Sequence, residues 1–336
     1  MVHVVVAGGT SPTLGRSIVT ACIAAGHQVT VLSRTPSDSS SAAESAHGAP
    51  IKYVSYEDVS SVKSAISGAN IVISVLKIIG DELNITTHLN LLRATLATDT
   101  ATRFVPSDWS MYSLAHQQVD LLAHKATLLK ECQQLAASSE RTDFEVAQFE
   151  NGGFLNYFAQ KAPSVAAKPH LLAGLDDDLM LEYIDISQGI LPIPVNADGD
   201  SATVSMTHID DVGKYVAAVV ALPAGSWPQS GIISIAGNTF TYIEVRHIVE
   251  RECGITLQHA TIDPDECDRR KKEADAKLAG EFDLATFKSG MVAQMQKVTC
   301  QGARGGAWAD NEAGEVCPDV TPVDLREYLH EVWGKQ

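Results

Sequence analysis

The stretch from Val4 to Arg34 restricts the fold of this chain more than any other. It reads Val-Val-Val-Ala-Gly-Gly-Thr-Ser-Pro-Thr-Leu-Gly-Arg from Val4 to Arg16, continues through a segment with alanine and isoleucine on one helical face, and ends in Val29-Thr30-Val31-Leu32-Ser33-Arg34. An apolar strand, a glycine turn, a helix and a second apolar strand make a βαβ unit. Gly8 and Gly9 let the backbone turn sharply and approach a pyrophosphate, while Gly15 lets the helix that opens near Leu14 pack close to the strand. A dinucleotide is expected over this first helix, with Thr10, Ser11 and Thr13 in the turn that cradles it. An NAD site usually ends its second strand in an acid for the ribose 2′-hydroxyl. Here the place is taken by Ser33-Arg34, suited to a 2′-phosphate, so NADP(H) is the expected cofactor. The glycines fall at 8, 9 and 15, and the third is one residue later than in the usual fingerprint. A phosphate-loop NTPase would need glycine at position 10 and lysine at 16; Thr10 and Arg16 exclude it.

The same rhythm continues. Ile51 to Val54 reads as a third strand, Val59 to Ser67 as a short helix, and Ala69 to Leu76 as a buried strand of continuous apolar residues. Leu89, Leu92 and Leu96 give residues 83–97 helical spacing; Arg103 to Val105 is a fifth strand, about Gln117 to Ala137 a helix, and Phe144 to Phe149 a sixth strand. Strands alternating with helices predict an α/β fold, a Rossmann-type doubly wound parallel sheet, in a domain over residues 1–150. The small polar residues of 35–48 form a loop expected to flank the adenosine end of the cofactor. Beyond Asn151 the pattern breaks into a smaller mixed α/β substrate lobe over 151–336, with room for segments of it to return to the Rossmann sheet. Its elements are a strand at Ala202 to Met206, a helix at Ile209 to Leu222, a strand at Ile232 to Ala236, a helix at Tyr242 to Glu252 and a charged, solvated helix over 264–281. Residues 300–317 read as a long mobile loop, and Thr321 starts a final helix.

Charge narrows the partners. Lys and Arg number 25 against 41 Asp and Glu, a net charge of −16 that repels nucleic-acid phosphates and anionic membrane surfaces. The six cysteines lack metal-ligand spacing and suit reduced, intracellular thiols. The first strand begins at once, which leaves no room for a signal peptide, and no run of about 18 apolar residues occurs, so a cytoplasmic protein is expected.

In an open parallel sheet the ligand lies beyond the carboxyl ends of the strands, where strand order reverses. Three segments converge there: the turn from Gly8 to Gly15, Ser74-Val75-Leu76-Lys77, and Ser107-Asp108-Trp109-Ser110-Met111-Tyr112. Asp108 is either a site residue or a helix cap, and Trp109 either a pocket wall or an apolar lid.

Gly8-Gly9-Thr10, Leu32-Ser33-Arg34, Ile71-Val72-Ile73-Ser74, Leu91-Leu92-Arg93-Ala94, Arg103 through Trp109, His124-Lys125-Ala126 and Glu150-Asn151-Gly152-Gly153-Phe154 through Phe158 stand in this order. Together they resemble the NmrA-like and isoflavone-reductase-like atypical short-chain dehydrogenases. The resemblance covers residues 1–160 and continues more faintly through Thr207-His208-Ile209-Asp210-Asp211-Val212-Gly213. It implies an NADPH-binding Rossmann domain contacted by Ser74, Val75, Leu76, Pro106, Ser107, Lys125 and Asn151 besides the glycine turn, with a substrate cleft above the nicotinamide. It also makes Lys125 the residue that orients or protonates the substrate; a lysine between a cationic nicotinamide and apolar walls has its ammonium form disfavoured. Asp108 and Tyr112 are the next candidate proton donors, and Trp109, Met111, Phe154 and Tyr157 the candidate pocket walls. Lys77-Ile78-Ile79, Ser55 and the Trp109 to Tyr112 segment depart from the family pattern, which leaves substrate identity open.

Tyr157 and Lys161 match the Tyr-x-x-x-Lys spelling of ordinary short-chain dehydrogenases but follow the sixth strand instead of lying on the helix after the fifth, so the match is a coincidence. His208-Ile209-Asp210-Asp211 reads as a helix cap with an acidic first turn, and no metal site is expected. The function expected is NADPH-dependent reduction of a bulky, largely apolar metabolite. Two alternatives stand beside it: a non-catalytic NADP(H) sensor that binds a regulatory protein, and a cofactor-bound cyclase or rearrangement catalyst. The partner expected is a small-molecule substrate, with a homodimer left open.

Overall fold

The computed structural model describes residues 1–34, 43–78, 80–111, 115–175, 184–301 and 307–334. β1 (His3–Ala7) buries Val4, Val5, Val6 and Ala7 completely, as a strand covered on both faces requires. Val4 and Val6 face one apolar cluster, and Val5 and Ala7 the other, so the period of two along this strand divides the core into two layers. α1 (Leu14–Ala24), β2 (Gln28–Arg34), β3 (Ser45–Ala46), β4 (Ala49–Val54), α2 (Val59–Ala65), β5 (Ile71–Ser74), α3 (Asp81–Leu96), β6 (Arg103–Val105), α4 (Ala123–Ala137) and β7 (Glu145–Val146) complete the first half. The sheet runs β3-β4-β2-β1-β5-β6-β7, and every pair is parallel except the short β3–β4 edge. Strand order therefore reverses beside β1, and the loops after β1, β5 and β6 meet there.

The sixth strand of the sequence reading proves to be two. Ala147 still donates to the Phe104 carbonyl at 3.2 Å, but Gln148 donates to Gly231 at 2.9 Å, and the hydrogen bonds pass from one sheet to another between these two residues. β8 (Gln148–Glu150) thus leaves the Rossmann sheet, and β9 (Gly153–Phe154) follows it. The remaining elements are β10 (Ile193–Pro194), β11 (Thr203–Thr207), α5 (Ile209–Val219), β12 (Ile232–Ser234), β13 (Asn238–Thr241), α6 (Tyr242–Cys253), β14 (Thr261–Ile262), α7 (Pro264–Leu278), α8 (Leu284–Thr299), α9 (Glu312–Val316) and α10 (Leu325–Trp333). β8 pairs in parallel with β12, and β11 lies between β9 and β13.

Three further sequence expectations need correction, and one helix carried no expectation. The helix expected from Gln117 begins as a 3₁₀ turn at Asp120, and α4 proper opens at Ala123. α8, which the sequence reading passed over, packs along α7, where Gly290 lies against Ala274. The loop expected over 300–317 contains α9, and Ala307 and Ala309 are buried because their backbone bonds β11: Ser205 donates to the Ala307 carbonyl, and the Ala309 N–H to Ser205 Oγ. The final helix starts after Asp324, not at Thr321, since the Asp324 carboxylate accepts from the Arg326 and Glu327 N–H groups. Residues 35–42 and 302–306, read from sequence as loop, lie outside the described residues.

The second lobe reaches back over the first. α5 packs on α1, where Ser17 Oγ donates to the Ile209 carbonyl at 2.6 Å and His27 Nε2 to the Ala217 carbonyl at 3.0 Å. Gly213 makes this approach possible, for a Cβ there would stand 2.3 Å from Ser17 Oγ. Among the described residues no helix is long and apolar enough to cross a membrane. Gly213→Ala is expected to cost about 1–3 kcal/mol through overpacking. Urea unfolding should show a lower midpoint at unchanged slope, and an unmoved midpoint would mean that the two helices are not held this close.

Candidate active site

The turn after β1 is shaped for an anion. Gly8 has φ +82°, and a Cβ on Gly15 would stand 2.8 Å from the Gly8 carbonyl, so the start of α1 lies against the turn. Gly8 also packs on the backbone of Val75 and Leu76, which brings the loop after β5 alongside. α1 opens at Thr13 with no side-chain cap and no acid in its first turn, while the Ser11 and Thr13 hydroxyls bond each other at 2.9 Å. The Arg16 N–H is taken by the Ser11 carbonyl at 2.8 Å, but those of Leu14 and Gly15 and the positive end of the dipole face the turn for a pyrophosphate. Arg34 is exposed at the end of β2, beyond half-buried Ser33. Asn151 is buried with Oδ1 unpartnered among the described residues, an acceptor that a ligand donor would satisfy. These residues fit a dinucleotide.

Ser74, expected at the cofactor, is fully buried and spends its hydroxyl inside the protein. His88 Nδ1 lies 2.8 Å from the Asn84 carbonyl and must donate to it, which leaves Nε2 to accept from Ser74 Oγ at 2.8 Å. The Ser74 carbonyl accepts from Trp109 Nε1 at 2.8 Å. Trp109 has φ +55°, a conformation that costs a bulky residue on the order of 1–3 kcal/mol. Three contacts fix it there: the Ser74 bond, a bond from its own N–H to the Phe149 carbonyl, and stacking on the Phe149 ring at 5.3 Å and 8°.

The bend at Trp109 folds Asp108 and Ser110 onto each other. Ser110 Oγ donates to Asp108 Oδ1, and Lys125 Nζ donates to the Asp108 carbonyl and lies 3.3 Å from Oδ1. His116, wholly buried, places Nε2 3.4 Å from Asp108 Oδ2 and 3.1 Å from Ser110 Oγ, with Nδ1 unpartnered among the described residues. Burial alone would raise the Asp108 carboxyl; the Lys125 ammonium and the bonds from His116 and Ser110 outweigh it and hold the group below the usual carboxylate range. Asp108 is therefore a buried anion, not a helix cap. The apolar walls expected around Lys125 are replaced by this anion. Tyr112 lies outside the described residues.

Against the cluster lies a cavity of about 170 Å³. Trp109, Met111, Phe154 and Tyr157, the four residues expected at a pocket, share its wall with Phe158, Met206 and Tyr242, and with Met295 and Thr299 of α8. Ser110 lines it too, whereas Asp108, His116 and Lys125 are not among its lining residues. The i, i+4 spacing of Met291, Met295 and Thr299 could have announced α8 from sequence; a loop histidine such as His116 carries no such signal. Lys161 of the Tyr-x-x-x-Lys spelling pairs with Asp185 at 2.6 Å. His208 caps α5, its Nδ1 accepting from Asp210, and Asp210 meets Arg16.

Fold and site define a dinucleotide-binding α/β protein with an apolar cleft. Residues 2–284 match the NmrA-like family, and the chain belongs to it. It is 35% identical to the oxidoreductase BOA1 of Botryotinia fuckeliana over 69% of this chain and 70% of that protein. The oxidoreductase swnN of Metarhizium robertsii is 26% identical over 99% and 98% of the two chains. Among solved structures, AtPrR2 with NADP⁺ and (+)pinoresinol superposes with a TM-score of 0.66 at 20% identity, covering 98% of both chains.

Burial pushes the His88 ring down from 6.5 to about 4. Below pH 6.5 the unfolded chain binds a proton that the folded chain does not, so the stability from neutral His88 is complete above 6.5 and is lost as pH falls to about 4. The expected loss is on the order of 3 kcal/mol. Urea unfolding of wild type and His88→Gln at about pH 7 and pH 4 measures it as a difference. Equal pH dependence in the two proteins would show that His88 takes up its proton without strain.

Proposed function

We propose that this protein is an NADPH-dependent reductase of a bulky, largely apolar compound, aromatic or polycyclic, that carries a carbonyl, imine or enone group. The observation that carries the reading is a cavity with almost wholly apolar walls, backed by a buried carboxylate and histidine and a partly exposed lysine at the switch point of the sheet. A protein that merely sensed NADP(H) would not need such a cluster set against an apolar cavity. The oxidoreductase names of the two fungal relatives and the NADP⁺ bound in a structural neighbour support the same reading.

The residues that would hold the dinucleotide are Gly8, Gly9, Thr10 and the first turn of α1 for the pyrophosphate, and Ser33 and Arg34 for the 2′-phosphate. Bound NADPH supplies a hydride. The chain excludes water with Phe154, Tyr157 and Phe158, and a charge that develops on the substrate there is attracted by nearby donors far more strongly than in water. Lys125 holds the proton that balances that charge. NADPH consumption with a panel of imines, enones and benzylic ethers tests the function, and a panel without turnover despite tight NADPH binding would favour the sensor.

Arg34→Ala should weaken NADPH by about 10- to 100-fold, the worth of one charge-assisted hydrogen bond, and leave NADH almost untouched. Equal loss for both cofactors in a binding titration would show that Arg34 serves the fold alone. Lys125→Met removes a partner of buried Asp108, so stability should drop by about 1.5–3 kcal/mol. NADPH affinity should stay nearly constant while single-turnover NADPH oxidation slows by roughly 10²-fold or more. An unchanged rate would remove Lys125 from the chemistry.

A further inference from the structure

Lys125 does not touch the cavity it would serve. Its ammonium is engaged by the carbonyl and Oδ1 of Asp108, and neither residue is among those that line the cavity. Ser110 bridges the gap: its hydroxyl bonds Asp108 Oδ1 on one side, and the residue lines the cavity on the other. The left-handed bend at Trp109 sets this arrangement, because it turns Ser110 back onto the carboxylate of the residue two before it. We propose that Ser110 is the catalytic residue that hands the proton to the substrate, supplied by Lys125 through Asp108; this rests on the reductase reading above.

The transfers balance. As the carbon of a C=O or C=N bond takes up a hydride with its electron pair, the π bond breaks and the heteroatom becomes negative. Lys125 Nζ gives a proton to Asp108 Oδ1, which changes from acceptor to donor in its bond with Ser110; the Ser110 hydroxyl thereby turns its hydrogen to the heteroatom, and as that proton leaves Oγ takes the one on Oδ1. Asp108 and Ser110 end as they began, and Lys125 ends as a neutral amine that solvent reprotonates through its partly exposed side chain. His116 is a positioning residue: with Nε2 3.1 Å from Ser110 Oγ and 3.4 Å from Asp108 Oδ2, it holds both oxygens in place. Within largely apolar walls a hydroxyl preorganised by Asp108 and His116 orients the reacting end of the substrate and stabilises its charge.

The test uses a coloured carbonyl probe, 4-(dimethylamino)cinnamaldehyde, whose absorption moves to longer wavelength when its oxygen accepts a hydrogen bond. With NADP⁺-loaded protein, wild type should shift the spectrum, Ser110→Thr should keep the shift through its hydroxyl, and Ser110→Ala should lose it, all three at unchanged NADP⁺ affinity. No shift with wild type, or a shift that survives Ser110→Ala, overturns the proposal. A shift that survives Ser110→Ala and vanishes in Lys125→Met would assign the contact to Lys125 directly. NADP⁺ titration separates the two levels: a wild type that binds NADP⁺ without shifting the probe sinks the role of Ser110 and spares the reductase, whereas one that does not bind NADP⁺ sinks both.

Discussion

Asp108 is a carboxylate removed from water, and such a charge survives burial only where partners replace its hydration. Its partners come from three places in the chain. Lys125 stands in the first turn of α4, His116 in the connection before it, and Ser110 two residues beyond Asp108 itself. The loop after β6 therefore cannot take a different course without stranding an anion, and the left-handed Trp109 is tolerated for that reason. Phe149, at the point where the chain leaves the Rossmann sheet, supplies the ring on which Trp109 stacks. One requirement, that a buried charge be paired, thus ties the end of the sheet, the start of α4 and the wall of the cavity together.

The two halves of the molecule are joined as firmly at the glycine turn. Arg16, in the first turn of α1, bonds the Pro12 carbonyl at 3.0 Å and the Ala173 carbonyl at 3.4 Å, and pairs with Asp210 at the start of α5. Half-buried ion pairs of this kind add little stability on their own. Here the pair lies beside the close seam between α1 and α5, where Gly213 admits Ser17. A turn shaped for a pyrophosphate and the lobe that builds the cavity consequently share one apolar layer, formed by β1, α1 and α5.

Most of the Rossmann half is legible in the sequence because each of its elements declares itself locally. Val4 to Ala7 and Ile71 to Ile73 are continuous apolar runs, and Gly8 and Gly15 mark the turn between the first of them and α1. What escaped is non-local. The change of partner between Ala147 and Gln148 depends on β12, more than 80 residues away, and no pattern within 144–149 reports it. Ala307 and Ala309 are ordered by a serine in β11, which composition alone reads as loop. At the site, Asp108 could be singled out from its place after β6, and Lys125 from the family resemblance. Ser110 and His116 could not, since a hydroxyl and an imidazole in a loop have no periodicity to betray them.

The cavity wall carries a further consequence for selectivity. Apolar walls discriminate between similar shapes weakly, by about 1–3 kcal/mol for each methylene gained or lost. Met111, Met206 and Met295 soften that discrimination, because an unbranched thioether side chain repacks around ligands of different outline. Two of these methionines come from β11 and α8, in the lobe whose elements the sequence declared least. The polar end is rigid by contrast, held by a buried anion and a strained backbone. Under the proposed function, a pocket built in this way would accept a range of apolar bodies and hold the reacting group at its polar end, with the chemistry on the Rossmann side of the cleft and the tolerance on the other.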